Sequence, residues 1–462
     1  MKNAIRGAGF VLALVLAISY AYHVVSWKDT TGDYLSSVEQ LYSTPKDLVD
    51  VVFMGSSHTY CAINPSILWE DRGIAAFDMS TSGQDRNATY HYLKELLKTQ
   101  SPQVVFIDMY GLLFDRHAIE GNVYRNLLSM RYSKNAIDIV NGYIEEGERL
   151  DYYLRWPIVH TRYKELKMYD FIKYPVSVYG RGEALAWIKT DMFEYEGAAF
   201  IDEVGELDEE NAKWLSDLKA LSEEENFTLV FFVAPFDVKE EEQLVLNAAK
   251  AYADENGIAF YDLNRLDKEI GLDRYADMTD PHHTNAFGAE KVTKYFEDIL
   301  VSEFDLKDHS GDKKYSHWDK DLKYNKHLSA ADVIKNTTDV YDCIELATEL
   351  DDTIVVLSLD GEFENIIPNL ARFGISEEEA VTGGKWVYQN GVWAKMAENL
   401  PGQIKAIEID RYHTLIIQYA EGNTQANILL DKESAVTTSK GLNIVVYDGF
   451  TNELVTKRGV DN

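Results

Sequence analysis

Five short apolar runs, at residues 51–54, 75–79, 104–109, 229–233 and 258–263, alternate with segments whose apolar residues recur at helical spacing. Runs of that length, rich in Val, Ile, Phe and Ala, read as strands buried on both faces. Strands alternating with helices call for a parallel sheet, because each crossover must carry the chain back to the same edge and its helix then covers a face. The expected fold class is therefore α/β, a three-layer α/β/α sandwich over residues 48–304. Asn64 followed by Pro65 predicts a helix start and Gly73 its stop, and further helices are expected at 87–98, 239–256 and 286–304.

Between the third and fourth runs lies an insertion, about 111–225, dense in aromatic residues: Tyr152, Tyr153, Trp156, Tyr163, Tyr169, Tyr174, Trp187 and Tyr195. It predicts a mostly helical cap over the carboxyl edge of the sheet, with its aromatics read first as packed core and second as stacking platforms for a sugar ring. A chain of 462 residues exceeds what one core supports. The charged, aperiodic stretch 305–330 reads as a linker. Residues 331–462 return to globular composition and form a smaller α+β domain, with strands expected at 353–359, 415–418 and 444–447 and a helix near 363–373 closed by Gly374.

At the other end, Lys2 and Arg6 precede an uncharged run over 7–25, whose helical length at about 1.5 Å per residue roughly matches the hydrocarbon core of a bilayer. Tyr20, Tyr22 and Trp27 crowd its far end like an interfacial aromatic belt, so 1–27 reads as a single membrane anchor and 28–47 as a connector. Cations before the run, against Asp29, Asp33 and Glu39 after it, place the body of the protein on the extracytoplasmic face of the cell membrane. A cleaved signal peptide is the rival reading, disfavoured because the run exceeds the roughly 7–15 residues of a signal core and no A-x-A site follows. Acidic residues outnumber basic ones 77 to 45, a field that repels phosphate backbones, so nucleic acid is excluded as a partner. Cys61 and Cys343 lack CxxC company, and neither HExxH, a Walker loop nor GxGxxG is present, so no metal and no cofactor are expected.

The first strand runs into Gly55-Ser56-Ser57-His58, which sets two hydroxyls at the strand edge where open α/β sheets bind ligands. Alone, Gly-x-Ser after a strand is a common turn. Its weight comes from Asp280-Pro281-His282-His283 just before the last helix, since a serine hydroxyl needs a base to take its proton and the base needs a carboxylate to fix its tautomer. The two blocks together resemble the SGNH/GDSL hydrolase superfamily. The resemblance implies that Ser57 is the nucleophile, His283 the general base and Asp280 the orienting acid, with His282 a bystander. Gly83, in Ser80-Thr81-Ser82-Gly83-Gln84, matches the family's second block and implies an oxyanion hole formed by the Gly83 and Ser57 amides. The third block departs from the pattern: Asp108-Met109-Tyr110-Gly111 stands where an asparagine donor is usual, and an ionised carboxylate cannot donate. Either Tyr110 or another donor substitutes, or the hole has two donors. Tyr110, Arg86 and His58 are the candidates for substrate contact. His58 has the plainer reading of a hydrogen-bonded turn residue, and Asp85-Arg86-Asn87 that of a helix cap.

With its anchor and altered third block the chain looks like extracytoplasmic branches of that superfamily, the alginate and peptidoglycan O-acetyltransferases and the membrane-anchored protein of teichoic-acid D-alanylation. This implies a serine acyl-ester hydrolase or O-acyltransferase acting on a cell-surface glycan or acylated polymer. A transferase would need a membrane protein to deliver the acyl group, because acetyl-CoA is cytosolic. The alternative is a catalytically inactive SGNH-fold polysaccharide-binding or scaffold protein of the cell envelope, favoured by the altered block and disfavoured by a complete Ser–His–Asp set. In the second domain, 441–448 and 353–360 look like the interleukin-like EMT-inducer type domain, which implies a non-catalytic binding role beside a purely structural one.

Overall fold

The first element, α1 (Lys2–Val25), is a helix whose stretch Ile5–Val25 is long and apolar enough to cross a membrane. The structure, a computed structural model, describes residues 2–26, 35–114, 123, 126–166, 168–171, 179–183, 185–187, 200–360, 364–381, 383–397, 404–408, 414–419, 426–430, 433–438 and 441–461. The chain divides into two compact units, Met1–Leu322 and Lys323–Asn462.

In the first unit the apolar runs become β1 (Val51–Met54), β2 (Ala76–Asp78), β3 (Val104–Asp108), β4 (Thr228–Val233) and β5 (Ala259–Asp262), all parallel, in the order β2-β1-β3-β4-β5. After β1 come α2 (Ser57–Ala62) and α3 (Pro65–Arg72), and after β2 comes α4 (Arg86–Leu96). Helices α5 (Lys134–Tyr143) and α6 (Glu209–Glu225) separate β3 from β4, α7 (Glu240–Asn256) follows β4, and α8 (Ala286–Glu303) closes the sandwich. Successive strand residues point to opposite faces. Val52, Met54, Val105, Ile107, Phe231 and Val233 therefore enter one core with α4 to α7, and Val51, Phe53, Val104, Phe106, Val230 and Phe232 enter the other with α3 and α8. A sheet buried on both sides needs apolar side chains at every position, which is why the runs are continuous rather than alternating.

The local signals at α3 act as read: Asn64 Oδ1 accepts from the Ser66 amide at 3.0 Å, Pro65 opens the helix, and Gly73 ends it at φ +63. Because the chain runs from β1 to β2 on one side and then to β3 on the other, strand order reverses at β1, and the crevice outside the carboxyl ends of β1 and β3 is the position where such sheets bind ligands.

Two expectations differ from what is found. The stretch 305–330, read as a linker, carries α9 (Ser316–Asn336), whose first turns are built into the first unit: Trp318 is fully buried and its indole donates to the Ala76 carbonyl at 3.0 Å, while Asp321 pairs with buried Arg181 at 2.5 Å. The buried residues of this charged helix, Trp318, Asp321, Asn325, His327, Ala331 and Ile334, mix polar with apolar side chains, so no apolar period registers. The insertion 111–225 is likewise not wholly a cap. Trp214, Leu215, Leu218 and Leu221 make α6 part of the sandwich layer, and α5 packs against α4. Of its aromatics, Tyr152 and Tyr153 pack against the core and Tyr163 is exposed, while Tyr174, Tyr195 and the side chain of Tyr169 lie outside the described residues.

Among its described residues the second unit holds two antiparallel sheets. One contains Thr353–Asp360, Gly384–Gln389, Val392–Ala397, Gly441–Asp448 and Glu453–Val460, the other Ile404–Glu408, Thr414–Tyr419, Ala426–Leu430 and Glu433–Ser434. The expected helix is a short one, Ile367–Leu370, followed by a 3-10 turn and closed by Gly374 at φ +74.

The face under α8 is held by an aromatic cluster in which Phe53 stacks on Phe106 at 4.7 Å, with Phe296 of α8 5.0 Å from Phe106 and 5.4 Å from Phe232. Phe296 is fully buried, so Phe296→Ala is expected to destabilise the first unit by about 3–5 kcal/mol through lost transfer energy and the cavity left behind. A urea titration checks this, and a loss below about 1 kcal/mol would contradict the packing described.

Candidate active site

Three loops meet at the carboxyl edge of β1 and β3. The first begins at Gly55, where a Cβ would lie 2.1 Å from Thr59 Oγ1 and 2.7 Å from Asp108 Cβ, so only glycine lets the chain turn this closely past β3. Ser56 then caps α2, its hydroxyl accepting from the His58 amide at 3.4 Å, and Ser57 is the first residue of the helix, partly exposed, while Ser56 and His58 are buried.

The second loop follows β2. It runs beside Gly55, with the Thr81 amide donating to the Gly55 carbonyl at 3.4 Å, and it is braced by Gln84, whose Nε2 donates to the Met79 carbonyl and to Thr89 Oγ1. Gly83 takes φ +64 there, the left-handed backbone that glycine supplies without steric cost.

The third loop is a small hairpin, β6 (Met278–Asp280) and β7 (His283–Thr284), just ahead of α8. It is fastened to α2 by Thr284 Oγ1 donating to the Cys61 carbonyl at 2.6 Å, and to α8 by Asn285, which caps that helix through the Phe287 and Gly288 amides. Gly288 is required there because a Cβ would lie 2.3 Å from the Asp277 carbonyl oxygen.

The hairpin brings the imidazole to the hydroxyl. His283 Nε2 lies 2.8 Å from Ser57 Oγ across 226 residues of sequence, and His283 Nδ1 lies 3.0 and 2.9 Å from the two Asp280 oxygens. Partial burial pushes the Asp280 carboxyl up, but hydrogen bonds from the His283 ring and the His282 amide outweigh it and hold the group at about 2. An ionised carboxylate only accepts, so Nδ1 carries the proton and Nε2 is left to accept from Ser57. A hydroxyl, an imidazole and a carboxylate so aligned can pass a proton from oxygen to nitrogen.

Asp108 does not face the reacting side as an oxyanion donor would. Its Oδ2 accepts from Thr59 Oγ1 at 3.1 Å and its Oδ1 from the Tyr110 and Ala234 amides at 3.1 and 3.4 Å, so it ties the ends of β1, β3 and β4 together. Tyr110 stacks on His58 with ring centroids 3.6 Å apart, and Phe236 meets both edge-on at 5.2 Å. His58 is thus a buried wall of the site, 5.2 Å from the His283 ring, and burial, followed by the two neighbouring histidines, lowers its pKa so that it stays neutral. His282, read as a bystander, belongs to the same wall, 6.1 Å from His58. Phe236 was not singled out from the sequence, although its place three residues past the apolar run that becomes β4 puts it at the ligand-binding edge.

Arg86 goes elsewhere. Asp85 caps α4 through the Ala88 amide, and Arg86 pairs with Glu210 of α6, lining a cleft of about 570 Å³ whose walls include neither Ser57 nor His283.

No family model matches the chain, and no curated protein matches it significantly. Among solved structures, a candidate acylhydrolase from Bacteroides fragilis aligns with 13% identity and a TM-score of 0.30, covering 60% of this chain and 98% of that one. Likeness at that level carries no argument about the site.

Several carboxyls near this edge are buried. Burial raises Asp78 well above the ordinary range and also raises Asp85, and it pushes Asp108 from 3.8 up to about 6. Folded Asp108 then holds a proton that the unfolded chain has released above its own carboxyl pKa near ~4, so the stability it contributes is full below that pH and is lost as pH rises through about 6. For Asp108 the loss is at most roughly 3 kcal/mol. Asp108→Asn, which removes the titration, is expected to flatten the fall in melting temperature between about pH 4 and 6, and an unchanged pH profile in that variant would contradict the assignment.

Proposed function

We propose that the chain is a serine acyl-ester hydrolase or O-acyltransferase of the SGNH type, held in the cell membrane by α1 with its catalytic unit on the extracytoplasmic side, and acting on an acylated cell-surface glycan or polymer. The observation that carries this reading is the Ser57–His283–Asp280 chain of hydrogen bonds at the strand edge where the sheet order reverses.

In this reading Ser57 Oγ attacks the ester carbonyl while His283 Nε2 takes its proton, and Asp280 holds the Nδ1–H and balances the imidazolium. The developing oxyanion is received by the Ser57 and Gly83 amides, two donors rather than three, because Asp108 is an acceptor engaged with three donors of its own. Collapse of the tetrahedral intermediate breaks the ester C–O bond, and the leaving alkoxide takes the proton from His283. Water or a glycan hydroxyl then attacks the acyl-serine, giving its proton to the same nitrogen, and collapse of the second tetrahedral intermediate breaks the Ser57 Oγ–acyl bond while Oγ takes that proton back. The neutral aromatic wall of His58 and Tyr110 beside the nucleophile supports a role in seating the substrate. The second unit, which carries neither Ser57 nor His283, is read as an accessory domain for polymer binding.

Hydrolysis of p-nitrophenyl acetate tests the reading. Ser57→Ala and His283→Ala are each expected to lose at least about a thousandfold in kcat/KM while keeping the wild-type circular dichroism, and Asp280→Asn at least about a hundredfold. Wild-type turnover in the Ser57→Ala variant would remove this residue from the chemistry, and an absence of turnover in the wild type on any acyl ester would favour the inactive, polymer-binding alternative.

A further inference from the structure

The membrane helix is not a free tether. Its C-terminal end packs against the short helical segments His160–Glu165 and Met168–Phe171 of the first unit, on which Trp156–Val159 and then Arg149–Leu154 pack in turn. Arg162, 7% exposed, donates from Nη1 to the Val24 and Ser26 carbonyls at 3.3 and 2.8 Å, and its Nη2 pairs with fully buried Asp170 at 2.5 Å. A cation on the unsatisfied carbonyls of a helix C-terminus is stabilised both by hydrogen bonding and by the helix dipole. Tyr22 lies 6.1 Å from Trp156, the Tyr20 hydroxyl donates to the Phe171 carbonyl at 3.3 Å, and Val24 and Val25 are buried, whereas Phe10 to Ile18 present their large apolar side chains outward.

Length then fixes depth. The stretch Ile5–Val25 has 21 residues. At about 1.5 Å each it reaches roughly 30 Å, the thickness of the hydrocarbon core, with no residues to spare. The last turn must therefore stand in the interfacial layer, and whatever grips that turn stands there with it. The gripping segments present the side chains expected of such a layer: Leu154, Trp156 and Tyr163 are 55%, 36% and 60% exposed, and Leu150 and Phe171 are exposed as well.

We propose that these segments form a membrane-docking platform, inserted into the headgroup and upper acyl region beside α1 and holding the first unit at a fixed orientation on the bilayer. The proposal rests on the reading that α1 spans the membrane. The occupant is the lipid itself, engaged through apolar and aromatic side chains. Charge does not hold the platform, since Glu145, Glu146, Glu148, Asp151 and Glu165 offset Arg149, Arg155, Arg162 and Lys164 along the same stretch. A consequence is that the catalytic unit meets acceptors close to the membrane surface.

The test uses the full chain in phosphatidylcholine nanodiscs, with an NBD fluorophore on single introduced thiols; Cys61 and Cys343 are buried. Labels at Leu154→Cys and Tyr163→Cys are expected to be blue-shifted and quenched at least about twofold by lipid-borne nitroxide, whatever the salt concentration, whereas a label at Val301→Cys, on an exposed position of α8, stays aqueous and unquenched. Quenching at Phe10→Cys with aqueous behaviour at 154 and 163 would overturn the platform and leave the span standing. An unquenched label at Phe10→Cys would overturn both, and quenching at 154 and 163 that vanishes at high salt would overturn the apolar contact. None of these outcomes touches the esterase assay, so failure of the platform and failure of the catalytic reading are distinguishable.

Discussion

The absence of a side chain at Gly55 sets the geometry of everything around it. Its Cα passes so close to Thr59 and Asp108 that a methyl group would collide with both, and this contact presses the end of β1 against the end of β3. Thr59 then reaches Asp108, Asp108 holds the Tyr110 and Ala234 amides, and α2 begins with Ser57 at its first position, facing the crevice where strand order reverses. The Ser57 hydroxyl is placed by backbone packing at the strand ends, and the His283 imidazole is brought to it by a hairpin anchored independently to α2 and α8.

Electrostatically the site has two sides. On the reacting side Asp280 is partly exposed and kept ionised by the imidazole it holds. On the structural side Asp108 and Asp78 are buried and pushed toward their neutral forms. At about 6, Asp108 is still largely ionised at neutral pH, and its charge is spread over the three donors from Thr59, Tyr110 and Ala234.

Much of this was legible in the residues. Continuous apolar runs announced the doubly covered parallel sheet, Asn64-Pro65 and Gly73 bounded α3, and the pairing of Ser57 with His283 across 226 residues was what the resemblance of their two blocks to a known family implied. Other features left weak traces. The first turns of α9 bury one tryptophan and one aspartate among charged residues, so their hold on the first unit is tertiary and has no periodic signature. In the second unit the strands Gly384–Gln389 and Val392–Ala397 are joined through Asn390-Gly391, both at positive φ, a hairpin signal that was present and passed over. The aromatic wall of His58, Tyr110 and Phe236 assembles from three separate loops, and no single segment of sequence carries its stacking.

The central claim is that Ser57 is an activated nucleophile. Labelling the full chain with a fluorophosphonate and mapping the adduct by peptide mass spectrometry tests it most directly. The account predicts a phosphonyl group on Ser57, none on the adjacent buried Ser56, and loss of the adduct in His283→Ala. A folded protein that takes no label, or that takes it elsewhere while Ser57 stays unmodified, would contradict it.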